Sequence, residues 1–120
     1  MDGFVDGAGR ALVTLAIRGE ESAPPMDLAA WVDTAFNGEL VVPRAAIEQL
    51  KLQKSADAVA RLADGTEVVL ETYQCIIEWF NQNRVVEVIQ NDGEFALLGV
   101  ALLREHRVEI DYRSGTLRIT

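Results

Sequence analysis

The sequence predicts an all-β domain, a closed barrel or a sandwich, with one or two short helices. Three observations predict it. Short apolar runs separated by turns rich in Gly, Asn, Asp and Pro recur from Ala11 to Ile119, the signature of many short strands folded on one another. Asp64-Gly65 stands between two strand-like runs, a strong hairpin signal. Apolar and polar residues alternate in Val108-Glu109-Ile110-Asp111, as in a strand with one buried face. Only residues 44–50 and 100–106 read as helices, and both are short.

Taken in order, residues 1–10 hold three glycines and two aspartates and read as a flexible N-terminal segment. Residues 11–120 read as a single domain, a size one small core can support. Residues 11–17 are a continuous apolar run, a buried strand. Residues 18–25 are polar and end in Pro24-Pro25, a loop. Residues 26–32 form a second strand and 40–42 a third. Pro43 can open a helix, because its missing N–H is not needed at the first helical position. In the helix that follows, Ile47 and Leu50 fall three apart on one face.

Residues 57–62 are the outgoing arm of the Asp64-Gly65 hairpin, and 67–80 the long return arm. Val68 and Leu70 have one parity, whereas Cys75, Ile77 and Trp79 have the other. The strand must change its buried face, either by projecting from the core at its start or through a β-bulge near Thr72. Residues 81–83 turn, 84–89 form a strand, and Asn91-Asp92-Gly93 closes it. Residues 95–98 are a short buried strand before Gly99. The helix over 100–106 ends at His106, read as a capping or surface residue. Strands over 108–112 and 117–119 make a last hairpin. Trp31 and Trp79 read as core residues. The two halves share one order of elements: hairpin, short apolar strand, Gly-containing turn, short helix.

Composition excludes several function classes. Apolar residues make up 49% of the chain, enough for a core, so disorder is not expected. There are 19 acids against 11 Lys and Arg, a net charge of −8, and no basic block that could follow a phosphate backbone; no nucleic-acid partner is expected. The single cysteine, Cys75, cannot form an internal disulfide and reads as a small core hydrophobe. With one His and one Cys, no metal site and no cofactor are expected. No signal peptide or membrane span is visible, and the expected location is the cytoplasm.

The stretch from Trp31 to Pro43 carries the chemistry. An apolar strand runs into Asp33-Thr34-Ala35, a turn at Asn37-Gly38 follows, and a second apolar strand ends in Pro43. An acid at the end of an apolar strand is costly to bury unless neighbours hydrogen-bond to it or it shares a proton with a second acid. Taken alone, the stretch also reads as a plain strand, a turn capped by Asp33, and another strand.

Three pieces in order resemble the retropepsin-like aspartic proteases, in their small soluble prokaryotic form. Val32-Asp33-Thr34-Ala35 is similar to the family's active-site loop, an apolar residue followed by Asp, Thr or Ser, and Gly or Ala. The hairpin at Asp64-Gly65-Thr66 stands in the place of the flap, and Ala96-Leu97-Leu98-Gly99-Val100 is similar to the apolar–apolar–Gly motif before the last helix. The resemblance covers residues 11–120. It implies a closed acid-protease barrel with a flap hairpin, and an aspartic-type endopeptidase acting on polypeptides.

In that family Asp33 would be the catalytic acid, one from each subunit of a homodimer, since one chain holds only one such motif. Thr34 would brace the two loops across the dimer, and Ala35 stands where most members carry Gly. Asp64, Gly65 and Thr66 would form the flap tip over the substrate. Leu97, Leu98 and Gly99 would be structural. Residues 1–10 and 117–120 would interleave between subunits. Asp111 is discounted as a second acid, because no small-residue loop follows it. The alternative is a non-catalytic barrel of the same fold that dimerises or binds extended peptides.

Overall fold

A computed structural model describes residues 1–120, the side chains of Ala58 and Ala60 excepted. The elements follow in the order β1 (Asp2–Val5), β2 (Ala11–Arg18), β3 (Met26–Val32), β4 (Leu40–Pro43), α1 (Arg44–Leu50), β5 (Gln53–Arg61), β6 (Glu67–Trp79), β7 (Gln82–Asn91), β8 (Ala96–Leu98), α2 (Val100–Leu103), β9 (Val108–Asp111) and β10 (Thr116–Ile119). All strands belong to one sheet in the order β5-β6-β7-β4-β8-β3-β2-β1-β10-β9, and a further β6–β2 pairing closes six of them into a barrel. Inside it pack Val13, Leu15, Ile17, Leu40, Val42, Ile77, Val88 and Leu98.

Two parallel pairings position the site. β3 runs parallel to β8, and β4 runs parallel to β7 while pairing antiparallel with β8. β8 is thereby threaded between β3 and β4, so the loop joining those strands must cross over the end of β8. α1 begins at Arg44 behind Pro43, and Lys51 ends it in a left-handed conformation (φ 54°), with Leu52 N–H donating to Ile47 O at 3.1 Å.

The long β6 changes its buried face as its parity demands. Val68 and Leu70 are half-buried on one side, Thr72 is fully buried, and Cys75, Ile77 and Trp79 are buried on the other. From Glu67 to Glu71 β6 pairs only with β5; from Thr72 it also pairs with β7. The change marks the point where the hairpin leaves the barrel. The bulge sits on the opposite strand, where the register slips between Lys54 and Ala56. Ser55 is the extra residue, and its hydroxyl lies 3.0 Å from the Thr72 hydroxyl, which donates to Ala56 O at 2.9 Å. Thr72, 1% exposed, is fastened to the bulge at the root of the hairpin.

Several expectations are corrected. Residues 2–5 are not a loose end: β1 pairs with β10 and with β2. Gly3 permits that approach, since a Cβ there would meet Leu12 O at 2.1 Å. β5 begins at Gln53, earlier than its sequence pattern suggests, because Gln53 and Lys54 pair with Gln74 and Tyr73. The turn between β6 and β7 is Phe80-Asn81, both with positive φ (50° and 64°), as a tight two-residue hairpin requires. α2 stops at Leu103.

Candidate functional site

Asp33 follows β3 directly and is half-buried, while Thr34 and Ala35 are exposed. Its backbone N–H donates to Leu98 O at 3.0 Å, which extends the β3–β8 ladder by one bond. Its carboxylate Oδ1 accepts from Ala35 N–H at 3.0 Å, and Phe36 N–H donates to Asp33 O at 3.2 Å. The carboxylate is therefore fixed by a tight turn of its own loop, and among the described residues its second oxygen has no hydrogen-bond partner. Ala35 is not among the residues with positive φ, so the methyl group in the usual glycine place introduces no left-handed strain.

Three backbone hydrogen bonds hold the loop to the start of α2. Gly99 N–H donates to Glu39 O at 2.9 Å, Val100 N–H to Phe36 O at 2.8 Å, and Ala101 N–H to Gly38 O at 3.1 Å. A Cβ on Gly99 would stand 2.1 Å from Gly38 O and 2.5 Å from Phe36 Cδ2. Gly99 is thus the contact through which the two sequence motifs meet. Leu98 is fully buried and Leu97 half-buried. The structure therefore brings Asp33, Leu98 and Gly99 together.

Asp64, Gly65 and Thr66 form the turn between β5 and β6. Asp64 Oδ1 accepts from Thr66 N–H at 2.9 Å, Gly65 takes φ +86°, and Leu62 N–H donates to Thr66 O at 2.7 Å. The Thr66 hydroxyl and backbone N–H hold the Asp64 carboxyl below its ordinary value. Among the described residues no hydrogen bond joins this tip to the Asp33 loop. Outward on the hairpin, Val59 and Val69 face solvent between the Arg61–Glu67 pair (3.1 Å) and the Lys54–Glu71 pair (3.5 Å).

Sequence reasoning missed other neighbours. Trp31 is not core: it is 40% exposed, edge-on to Phe95, and the Arg10 guanidinium lies 4.4 Å from the Phe95 ring centre and 6.0 Å from that of Trp31. Asp6 holds Arg10 at 2.7 Å, and the Asp-Gly turn at residues 6–7 was the available signal for that bend. Trp79 is buried. His106 is neither a cap nor a free surface group. Its Nε2 accepts from Trp79 Nε1 at 3.3 Å, so the ring proton sits on Nδ1, which faces Thr120 O at 3.1 Å, and the ring stacks on Phe80 at 4.4 Å. Asp111 caps its own turn: the Ser114 N–H and hydroxyl, and then the Arg113 N–H, hold its carboxyl below its ordinary value. Among the described residues no three His, Cys, Asp or Glu side chains gather as a metal-binding group. Among the described residues no helix is long and apolar enough to cross a membrane.

No protein-family model and no curated protein matches the sequence. Solved structures do match the backbone. A retropepsin-like aspartic protease from Rickettsia conorii superimposes with a TM-score of 0.69 at 12% identity, covering 98% of this chain and 86% of that one. The EIAV protease complexed with the inhibitor HBY-793 matches with a TM-score of 0.57 at 17% identity, over 80% of this chain and 86% of the other. The simian foamy virus protease matches with a TM-score of 0.58 at 17% identity, over 78% and 91% of the two chains. The chain has a retropepsin-like fold.

Proposed function

We propose that the protein is an aspartic endopeptidase whose site is completed by two copies of the chain. The observation that carries this reading is the Asp33 loop. It crosses the end of β8, is fixed by backbone bonds to Leu98 and Gly99, and carries Asp33 half-buried with Thr34 exposed beside it. The proteases with which the fold is shared lend it support.

One chain supplies one such carboxylate, and acid–base hydrolysis of a peptide needs two in opposite protonation states. In a two-fold dimer the two Asp33 side chains face each other. Two carboxylates that close cannot both ionise, so they hold one proton between them and titrate as a unit. The ionised member takes a proton from a shared water, which attacks the peptide carbonyl. The protonated member donates to the carbonyl oxygen, and the resulting tetrahedral diol collapses as a proton passes to the leaving amine. Thr34, exposed in the single chain, braces its counterpart across the dimer. The flap hairpin of β5 and β6 lies along an extended substrate and excludes water, with Asp64, Gly65 and Thr66 at its tip. Val68 and Leu70, on the face opposite Val59 and Val69, give that hairpin an apolar underside.

The test is Asp33→Asn, which keeps the shape and removes the base. Cleavage of a mixed peptide library is expected to vanish while the circular dichroism melt is retained. Cleavage that survives in a clean preparation means that Asp33 is not catalytic. Peptide binding by a wild-type protein that cuts nothing selects the non-catalytic reading.

A further inference from the structure

Among the described residues Thr72 is the one polar or charged residue that is buried. A buried hydroxyl is costly unless its hydrogen bonds are made, so its place needs a reason. It stands where β6 leaves the barrel. From Thr72 onward β6 pairs with β7 as well as β5, and over Glu67–Glu71 with β5 alone. On β5 the register slips at the same level, with Ser55 as the extra residue.

The direction of the bonds at Thr72 follows from a count of protons. A hydroxyl has one proton to give. Thr72 gives its own to Ala56 O at 2.9 Å. In the 3.0 Å contact between the two hydroxyls, Ser55 is therefore the donor. A chain of bonds runs from Ser55 through Thr72 to Ala56, with its ends on β5 and its middle on β6. Successive bonds of this kind strengthen one another where water is excluded.

A bulge bends its strand and leaves one residue out of the ladder. That makes the level of Ser55 the softest point of the β5–β6 hairpin, and Thr72 takes up the slack with its side chain. The opposite face of β6 carries a weaker tie, since successive side chains point to opposite faces. There the Tyr73 hydroxyl donates to Glu71 at 2.8 Å, and Lys54 on β5 meets Glu71 at 3.5 Å. Lys54 and Glu71 are exposed, and exposed ion pairs contribute little. Burial thus singles out Thr72 among the groups at the root of the hairpin.

We propose that Thr72 is a positioning residue: its hydroxyl, bonded to Ser55 and Ala56, fixes the angle at which the β5–β6 hairpin stands to the barrel, and so sets how much of the time the hairpin lies ready over a peptide. This rests on the reading of that hairpin as a flap. Thr72, buried, meets no substrate and acts through residues 57–71. A hairpin that swings at its root spends less time in the ready pose, and apparent affinity falls by the same fraction. Once closed, it is the same hairpin, so bond cleavage is not slowed. Loss of the hydroxyl therefore shows in KM and not in kcat.

The test uses the full chain. Thr72→Val keeps the shape and removes the hydroxyl; Thr72→Ser keeps the hydroxyl. Ser55 and Ala56 are exposed, so the groups left behind in Thr72→Val bond to water and the barrel keeps its fold. Residual dipolar couplings of the amides, measured by NMR, report the hairpin's orientation averaged up to milliseconds. In Thr72→Val they should shrink together over residues 57–71 and hold over β2, β3 and β8. In cleavage of a peptide library KM should rise roughly three- to tenfold, the factor that one net hydrogen bond is worth, with kcat kept. Thr72→Ser should restore both. Ser55→Ala removes one bond at an exposed residue and should give the same pattern at smaller size. If Thr72→Val does not fold, Ser55→Ala decides.

Couplings unchanged over residues 57–71 overturn the proposal whatever the activity does. Couplings that shrink across the barrel as well also overturn it, because Thr72 is then an ordinary core residue. So does a loosened hairpin with KM as in the wild type, or a fall in kcat at unchanged KM. A wild type that binds peptides without cutting them overturns the peptidase alone, and the dissociation constant then takes the place of KM. A wild type that neither cuts nor binds peptides overturns the flap reading and this proposal with it, even where the couplings show Thr72 holding the hairpin.

Discussion

Cys75 shows how burial removes a candidate from the chemistry. It is 1% exposed, and burial, together with the nearby Glu39 carboxylate, pushes its thiol up to about 12. A thiol ionises in the unfolded chain near its ordinary value, so the folded form gains no thiolate at neutral pH. The sign follows: the contribution to stability is whole below pH 9.0 and is lost as pH rises toward about 12. Iodoacetamide should therefore label Cys75 slowly at pH 8 in native protein and rapidly in denaturant. Labelling at equal rates would show that the thiol is open. Asp33 was legible as a candidate for the opposite reason, since an acid after an apolar strand has a cost that demands an explanation. Trp31 was misread because its exposure depends on Phe95 and Arg10, which the register and the bend at Asp6 bring beside it and which no local pattern announces.

Among the elements, the pair formed by the Asp33 loop and α2 is the most constrained by space. Gly99 has φ −96° and ψ 172°, which any residue can adopt, so its role is room rather than backbone freedom. Gly99→Ala should destabilise the fold by about 1–3 kcal/mol, the cost of forcing a methyl into a packed contact, and lower the melting midpoint. An unchanged midpoint would mean that Gly38 and Phe36 can withdraw freely.

Element boundaries were legible where a physical signal marked them. Proline opened α1 at Arg44, and β3 ended at Val32 before Asp33. They were not legible where order is borrowed. Asp2-Gly3-Phe4-Val5 shows no burial pattern strong enough to declare a strand and becomes one because β10 and β2 both need a neighbour. The bulge at Ser55 was placed near the right level, but on the wrong strand, since parity in β6 records the change of face without saying which partner supplies the extra residue.

At the scale of the molecule, the proposed site is divided between chains, and subunit mixing separates that arrangement from a site held within one chain. Wild type is mixed with a ninefold excess of Asp33→Ala and exchange is confirmed by native mass spectrometry. If pairing is statistical in an isologous dimer, about a tenth of the wild-type activity should remain. Undiminished activity after complete exchange would show that each chain works alone. A barrel or a sandwich could be read from the sequence because turns and alternation are local, and the resemblance carried by Val32–Ala35 and Ala96–Val100 chose the barrel. The closing pairing of β2 with β6 and the clasp of β1 on β10 could not, because they join residues far apart in the chain.

That clasp has a consequence for how the molecule comes into being. Asp2 pairs with Arg118 and Phe4 with Thr116, so this corner of the sheet cannot form until nearly the whole chain is available. Contacts of such long sequence separation form late, after local hairpins have lowered the entropy of closing the ring. The hairpin of β9 and β10, by contrast, is local and can form early. The edge it presents then exists before its neighbour β1 has locked it in place. If the hairpin forms first, β10 is open until β1 arrives, and a neighbouring chain's β1 offers it the same pairing. Refolding at rising concentration should therefore give a growing fraction of strand-exchanged dimer, and a sedimentation profile that does not change with refolding concentration would show that β1 finds its own β10 first.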